Sequence, residues 1–459
     1  MLCLLSPALP QSSAFELIAN FKFEEATTQL QKNPSDNPYR DIYLANLADI
    51  ASLMLDESEG KYEQVKSAFE KRLERSEALP TNEWKNFITA EMKLQWAFVA
   101  LKNGHDWDAF WSLRSAYKLN KNNIKDYPNF YLNKRTNAIF DILLGSVPSN
   151  KQWVFNLFGL EGNVMNGIST LENFNTSEPV FQYETQLIKD LISVYLLEEE
   201  AIAPLPFQPN ADLSLFVQAL IYLKTHMALS ARSNLIEVKA NLPVKAYFLA
   251  ETYFLEESYE KAKVHYHGFL EQTKGNSYKK DTYLKLGLCE LFLNNKAASE
   301  KYLSKAREIE TANTEVDKNA RKMLDNLMYQ HLTLLRLRYA LDGGFYEKAK
   351  TITEALNKEP LSQKEKVELH YRQARLNQLT NNFNKAADFY HMVIENATLI
   401  EESYYAPNAY LQMGRMKEVQ GKVASAKMYY EQVLAYKKHP YKESLDAKAK
   451  IALSRLTTQ

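Results

Sequence analysis

Glycine is scarce, with 13 in 459 residues against roughly 7% in average usage. That excludes a fold built on many glycine turns and leaves long helices rich in Leu, Ala, Glu and Lys. Net charge is missing too, since 56 basic residues balance 56 acidic ones, so no global field draws the chain to nucleic acid or an anionic membrane. No polynucleotide partner is expected. Only Cys3 and Cys289 are present, and with Cys3 in an apolar leader, removal of that leader rules out an intrachain disulfide and leaves stability to packing. No stretch reaches the roughly 18 apolar residues of a membrane-spanning helix. Phosphate-cradling glycine loops, nucleophile elbows, CxxC pairs and HExxH are all missing. No cofactor is expected, and no catalytic residue: the protein reads as a non-enzyme. Among eight scattered histidines, His265 and His267 are the one close pair, but two helical steps turn their rings about 200° apart, which excludes a shared metal.

The leader MLCLLSPALPQSSA ends in the small residues Ser12-Ser13-Ala14, the pattern a signal peptidase cuts, here before Phe15. It lacks a Lys or Arg near Met1. The expectation is a signal peptide over residues 1–14 and export to a bacterial periplasm or cell envelope; the alternative is an apolar N-terminal tail on a cytoplasmic protein. Cys3 stands too near Met1 for a lipoprotein site.

What is present is a repeat. From Pro407 to Pro440, Gly414 fills a small eighth position, Gly421 the turn, Ala426 a small twentieth, Tyr430 an aromatic twenty-fourth, and Pro440 the end. Small residues at eight and twenty let two helices touch, and the large one at twenty-four fills the seam. The stretch resembles a tetratricopeptide repeat, a helix-turn-helix unit of about 34 residues. Counted from Ala90, the residues Ala97, Gly104, Ala109, Leu113 and Ala116 repeat the pattern. Further units begin near Asp212, Pro243, Lys280, Gln330, Val367 and Pro407, with Ala231, Ala262, Ser299, Ala349, Ala386 and Ala426 at position twenty. Position eight is Ala219, Ala250, Gly287, Ala374 and Gly414, and only Leu337 departs. The 50-residue step from Lys280 to Gln330 leaves room for an extra helix over Glu315–Asp325.

The organisation expected is a helical repeat region over 15–200, a proline-rich linker over 201–211 and a repeat array over 212–459. The fold class is all-α: an α-solenoid, a right-handed superhelix of about ten degenerate helix pairs, elongated because each repeat touches only its neighbours. Between 124 and 172 the pattern changes. There NKRTNAIFDILL, the turn Gly145-Ser146-Val147-Pro148, the run Gly159-Leu160-Glu161-Gly162 and then Gly167 and Leu171 resemble the central segment of the tetratricopeptide repeat protein 39 family. That resemblance implies helical repeats and supplies no catalytic residue. Gly159 and Gly162 are expected at positive φ in a tight turn. Trp96, Phe98, Trp107, Phe110 and Trp111, at helical spacing, are expected in the core. The run Trp153 to Phe158 is expected to pack internally rather than to enter a membrane surface.

In such a solenoid, positions two, five, nine, twelve and thirteen of each first helix face the concave groove. Arg338, Arg375 and Arg415 all fall on position nine of the last three units, with Tyr371 at position five. A ladder spaced roughly 10 Å per helix pair suits an acidic segment or terminal carboxylate. The other reading pairs these arginines with Glu418, Asp342 and Glu368 inside the groove. In the middle units the same positions carry Phe216, Tyr247, Phe254 and Leu288, an apolar groove suited to a small molecule or lipid with no bulky charge in the way. The function expected is a non-catalytic scaffold for a protein or peptide, with a small-molecule or lipid carrier as the alternative.

Overall fold

The computed structural model describes residues 13–147, 149–198, 210–310, 314–327, 330–396 and 404–458. They form twenty-four α-helices and, among the described residues, no strand. Ten helix pairs account for most of them, which makes the chain a tetratricopeptide-like α-solenoid. In the first half the pairs are α1 (Ala14–Ala19) with α2 (Phe23–Lys32), α3 (Pro38–Leu55) with α4 (Lys61–Ala78), α5 (Glu83–Lys102) with α6 (Asp106–Asp126), and α7 (Leu132–Gly145) with α9 (Val164–Glu172). Single helices α8 (Ser149–Leu157) and α10 (Pro179–Tyr195) lie beside them. The second half pairs α11 (Asp212–Lys224) with α12 (Ala228–Glu237), α13 (Pro243–Leu255) with α14 (Tyr259–Gln272), and α15 (Lys279–Phe292) with α16 (Lys296–Glu308). After the inserted α17 (Glu315–Asn326) come α18 (Leu332–Asp342) with α19 (Tyr346–Leu356), α20 (Gln363–Leu379) with α21 (Phe383–Glu395), α22 (Tyr405–Val419) with α23 (Val423–Ala435), and a final α24 (Lys442–Thr458).

The repeat chemistry acts as the spacing requires. Ala231, Ala262, Ser299, Ala349, Ala386 and Ala426 are all fully buried. A Cβ added at Gly287 would stand 2.6 Å from Leu303 Cδ2, and one at Gly414 would stand 2.5 Å from Tyr430 Cε1, so in these two units the helices meet as closely as they do because that position is bare. Leu337 does not spoil its unit: it is buried beside Ala340 and Ala349, and Ala340 supplies the small surface.

The array is not the open rod expected from neighbour-only contacts. Ile451 of α24 packs with Ile142 and Ile168 of α7 and α9, tying the last helix to the first half. Glu57, after α3, accepts the backbone N–H groups of Asn276 and Ser277 at 3.2 Å and the Ser277 hydroxyl at 2.6 Å. The superhelix therefore closes on itself. Its first-half core also runs on to Val217 and Ile221 of α11, past the proline-rich stretch, of which 201–209 lies outside the described residues.

Three expectations about local surroundings change. Trp96 is buried, but Trp107 is 74% exposed, and Trp111 and Phe98 are exposed as well, because helical spacing sets Trp107 and Trp111 together on the outer face of α6. Trp153, 66% exposed, and Leu157 project from α8, while Phe155 and Phe158 meet Phe110 edge-on. Gly159 has φ 69°, whereas Gly162 is not at positive φ; a Cβ on Gly162 would stand 2.6 Å from the Asp141 carbonyl oxygen, so close helix approach explains it. The leader up to Ser12 lies outside the described residues. Ser13 caps α1, its hydroxyl accepting the Glu16 N–H while its own N–H donates to the Glu16 carboxylate.

Candidate functional site

Closure creates a cavity of about 440 Å³ inside the ring. Position nine of three successive first helices, α18, α20 and α22, places Arg338, Arg375 and Arg415 on its wall, and Tyr371 lines it too. The ladder read from spacing thus meets one space. Further basic and aromatic groups were not legible as neighbours, among them Lys224 at the end of α11, Arg372 on α20, Lys448 on α24 and Tyr441 before it. Lys224, Arg338, Arg372, Arg375, Arg415 and Lys448 make six cations against two lining carboxylates, Glu198 and Asp342. A chain that is neutral overall is strongly cationic here, so global neutrality does not exclude a polyanion from this cavity.

The cations are held in different ways. Arg338 Nε lies 3.6 Å from Asp342 one turn on, and its side chain stays 45% exposed to the cavity. Arg372 donates to Glu368 at 3.0 Å, so Glu368 serves Arg372 rather than the ladder. Arg375 Nη1 donates to the amide oxygens of Gln378 and Gln412, both at 3.0 Å. Its Nη2 lies 3.4 Å from His226 Nε2, while His226 Nδ1 lies 3.2 Å from the Asp342 carbonyl oxygen. Burial, and then Arg375, hold the His226 imidazole below its ordinary range, so it is neutral at pH 7 and accepts from Arg375. Arg415 and Lys448 both bond Glu198, while Glu418, one of the three carboxylates expected to pair with the ladder, takes Arg455 and the Tyr430 hydroxyl.

Glu198 has a pH signature. Burial alone would raise its carboxyl, but Arg415, Lys448 and Lys224 outweigh burial and bring it down to about 2. A carboxylate depressed in the folded state adds stability that is complete above its ordinary 4.5 and lost as pH falls toward about 2. The stability difference between the wild type and Glu198→Gln, measured by denaturant titration, is therefore expected to shrink steadily across that window. A difference that stays constant with pH would mean the ion pairs do not form.

The apolar groove of the middle units is closed. Phe216, Tyr247, Phe254 and Leu288 are all buried in the core. Inserted α17 covers this side: Ala320 and Leu324 join the same cluster as Leu284 and Leu288, and buried Asp317 accepts the backbone N–H groups of Tyr278 and Asp281 at 2.8 and 3.1 Å, capping α15. A charge blocks the space as well, since Lys285 Nζ sits 4.8 Å over the Phe254 ring and donates to Glu251 at 2.8 Å. His265 and His267 stand apart, His265 stacked on Tyr253 and His267 Nε2 3.1 Å from the Tyr302 hydroxyl.

Fold and site together define the class: a tetratricopeptide-like α-solenoid closed around a cationic cavity. Compared with known proteins, the chain matches no family model and no curated protein. Among solved structures it is similar to a human IFIT1 dimer with PPP-AAAA, at 13% identity over 93% of this chain and 96% of that one, with a TM-score of 0.32. It is also similar to the APC/C hetero-tetramer Cut9–Hcn1, at 12% identity over 95% and 92%, with a TM-score of 0.26. At those scores the overlaps carry no argument about what this chain binds.

Proposed function

We propose that the protein is a non-catalytic binding scaffold whose interior cavity takes an acidic segment of a partner protein. The observation that supports this reading most is that six cations but only two carboxylates line one cavity of about 440 Å³. That lies within the roughly 300–1,000 Å³ typical of ligand sites, suited to a few side chains or a chain end rather than a folded surface. Arginine forks favour carboxylates through paired charge-assisted hydrogen bonds, each worth roughly 1.5–3 kcal/mol before desolvation is subtracted. A carrier of apolar molecules finds no support in the buried middle units, and the likeness of 124–172 to the protein 39 family adds no ligand.

The test is fluorescence anisotropy with a fluorescein-labelled tetraglutamate peptide. The wild type should bind it, and Arg375→Ala should weaken binding about tenfold or more, which is about 1.4 kcal/mol. Its melting temperature should shift little, because the amide oxygens of Gln378 and Gln412 that Arg375 bonds also accept from the Tyr390 hydroxyl at 2.6 Å and the Gln378 amide N–H at 3.0 Å. If the variant instead melts several degrees lower and binds as before, the arginine is structural. If a short RNA of equal charge displaces the peptide at lower concentration, nucleic acid is the partner class and the acidic-segment reading fails.

A further inference from the structure

Glu198 enters the cavity from outside the helix pairs that build its basic wall. It follows the last residues of α10, more than two hundred positions from both of its partners in sequence, yet it reaches the far end of the array. There Oε2 meets Arg415 Nη1 and Oε1 meets Lys448 Nζ, one oxygen for each cation. That is how a carboxylate from a bound peptide would sit between the two helices α22 and α24. The backbone of Glu198 is at φ 54°, the left-handed conformation that also follows other helices of this chain, at His226, Glu257, Asn294 and Asn381, so the turn sets the backbone and the two ion pairs set the side chain.

We propose that Glu198 is a built-in stand-in for the ligand: its seat between Arg415 and Lys448 is a carboxylate subsite, which a side-chain or terminal carboxylate of the acidic partner enters by displacing Glu198. This rests on the cavity reading above. The rest of the wall is then a second subsite, where another carboxylate of the same segment meets Arg338 and Arg375 in exchange for part of their present partners. Displacement exchanges one carboxylate for another at the cations, so recognition selects segments bearing several acidic groups. A ligand with a single carboxylate meets an intramolecular competitor already in place.

Binding of fluorescein-labelled tetraglutamate to the full chain tests this. Glu198→Gln should bind about tenfold more tightly than the wild type, since the competitor has lost its charge. Glu300→Gln, which removes an equally charged group paired with Arg307 on the outer surface, should bind like the wild type. A second measurement needs no substitution: on peptide binding, hydrogen exchange at residues 192–198 of the wild type should rise. Equal gains for both variants would reduce the effect to net charge and overturn the proposal. So would unchanged or weaker binding by Glu198→Gln, or unchanged exchange at 192–198. If the wild type binds, Arg375→Ala weakens binding about tenfold and Glu198→Gln changes nothing, the cavity reading stands and displacement fails. If neither the wild type nor Glu198→Gln binds, both fail.

Discussion

Arg135→Met is expected to cost about 3–5 kcal/mol of stability, the usual penalty for stripping one partner from a buried ion pair. Arg135 is 2% exposed and joins α5, α7 and α10: Nη1 donates to Glu91 at 2.9 Å, Nη2 to Glu184 at 2.8 Å and Nε to Thr185 at 3.1 Å. Methionine fills the volume but leaves two buried carboxylates facing each other. Burial already holds Glu184 up at about 7, even with Arg135 and the Tyr43 hydroxyl favouring its charged form. Without the guanidinium its carboxyl rises further and takes a proton as pH falls. The deficit of the variant should therefore be larger above about 7 than below it. Urea titrations followed by far-ultraviolet circular dichroism would measure this. Adding Glu91→Gln and Glu184→Gln to Arg135→Met should recover most of the loss, because the charges, not the shape, are the difficulty. A single variant that loses under about 1 kcal/mol would show that water reaches the pair and screens it.

Gly344→Ala should lose roughly 3 kcal/mol, of which about 1–2 reflect the left-handed backbone and the rest a collision. Gly344 is at φ 80°, and a Cβ there would run into the backbone carbonyl oxygen of His226. A backbone atom has no rotamer to move away to. This contact joins the turn after α18 to the turn after α11, which the Ala228 N–H also bonds through the Gly343 carbonyl at 3.3 Å. Pushing the turns apart carries His226 away from Arg375 and widens the cavity, so tetraglutamate binding should fall with stability. Gly60→Ala is the control: Gly60 is at φ 77°, with nothing within 4 Å of its added Cβ, so only the backbone penalty applies. Thermal melts should place the loss at Gly344 at about twice that at Gly60. Equal losses would mean that the contact between the turns carries no load.

Helix pairing was decided by the chain's local chemistry. Ala262, Ala386 and Gly414 declare their helix contacts because only a bare or nearly bare position lets two backbones approach, and that requirement repeats with the unit. The extra helix over Glu315–Asn326 was legible for the same reason, as an interval too long for one pair. Position nine put Arg338, Arg375 and Arg415 on one face, since helical periodicity fixes direction. Direction is not surroundings. Phe254 and Leu288 also point inward, but α17 and Lys285 fill the space they face, and nothing in their own spacing announces that. Trp107 and Trp111 keep helical spacing on a face that no neighbour covers. Lys224 at the end of α11, Glu198 after α10 and Lys448 on α24 come from parts of the chain far apart in sequence that meet only when the ring closes. Periodicity is a property of neighbours along the chain and determined the pairs; the cavity depends on contacts between residues some two hundred positions apart, which only the tertiary structure decided.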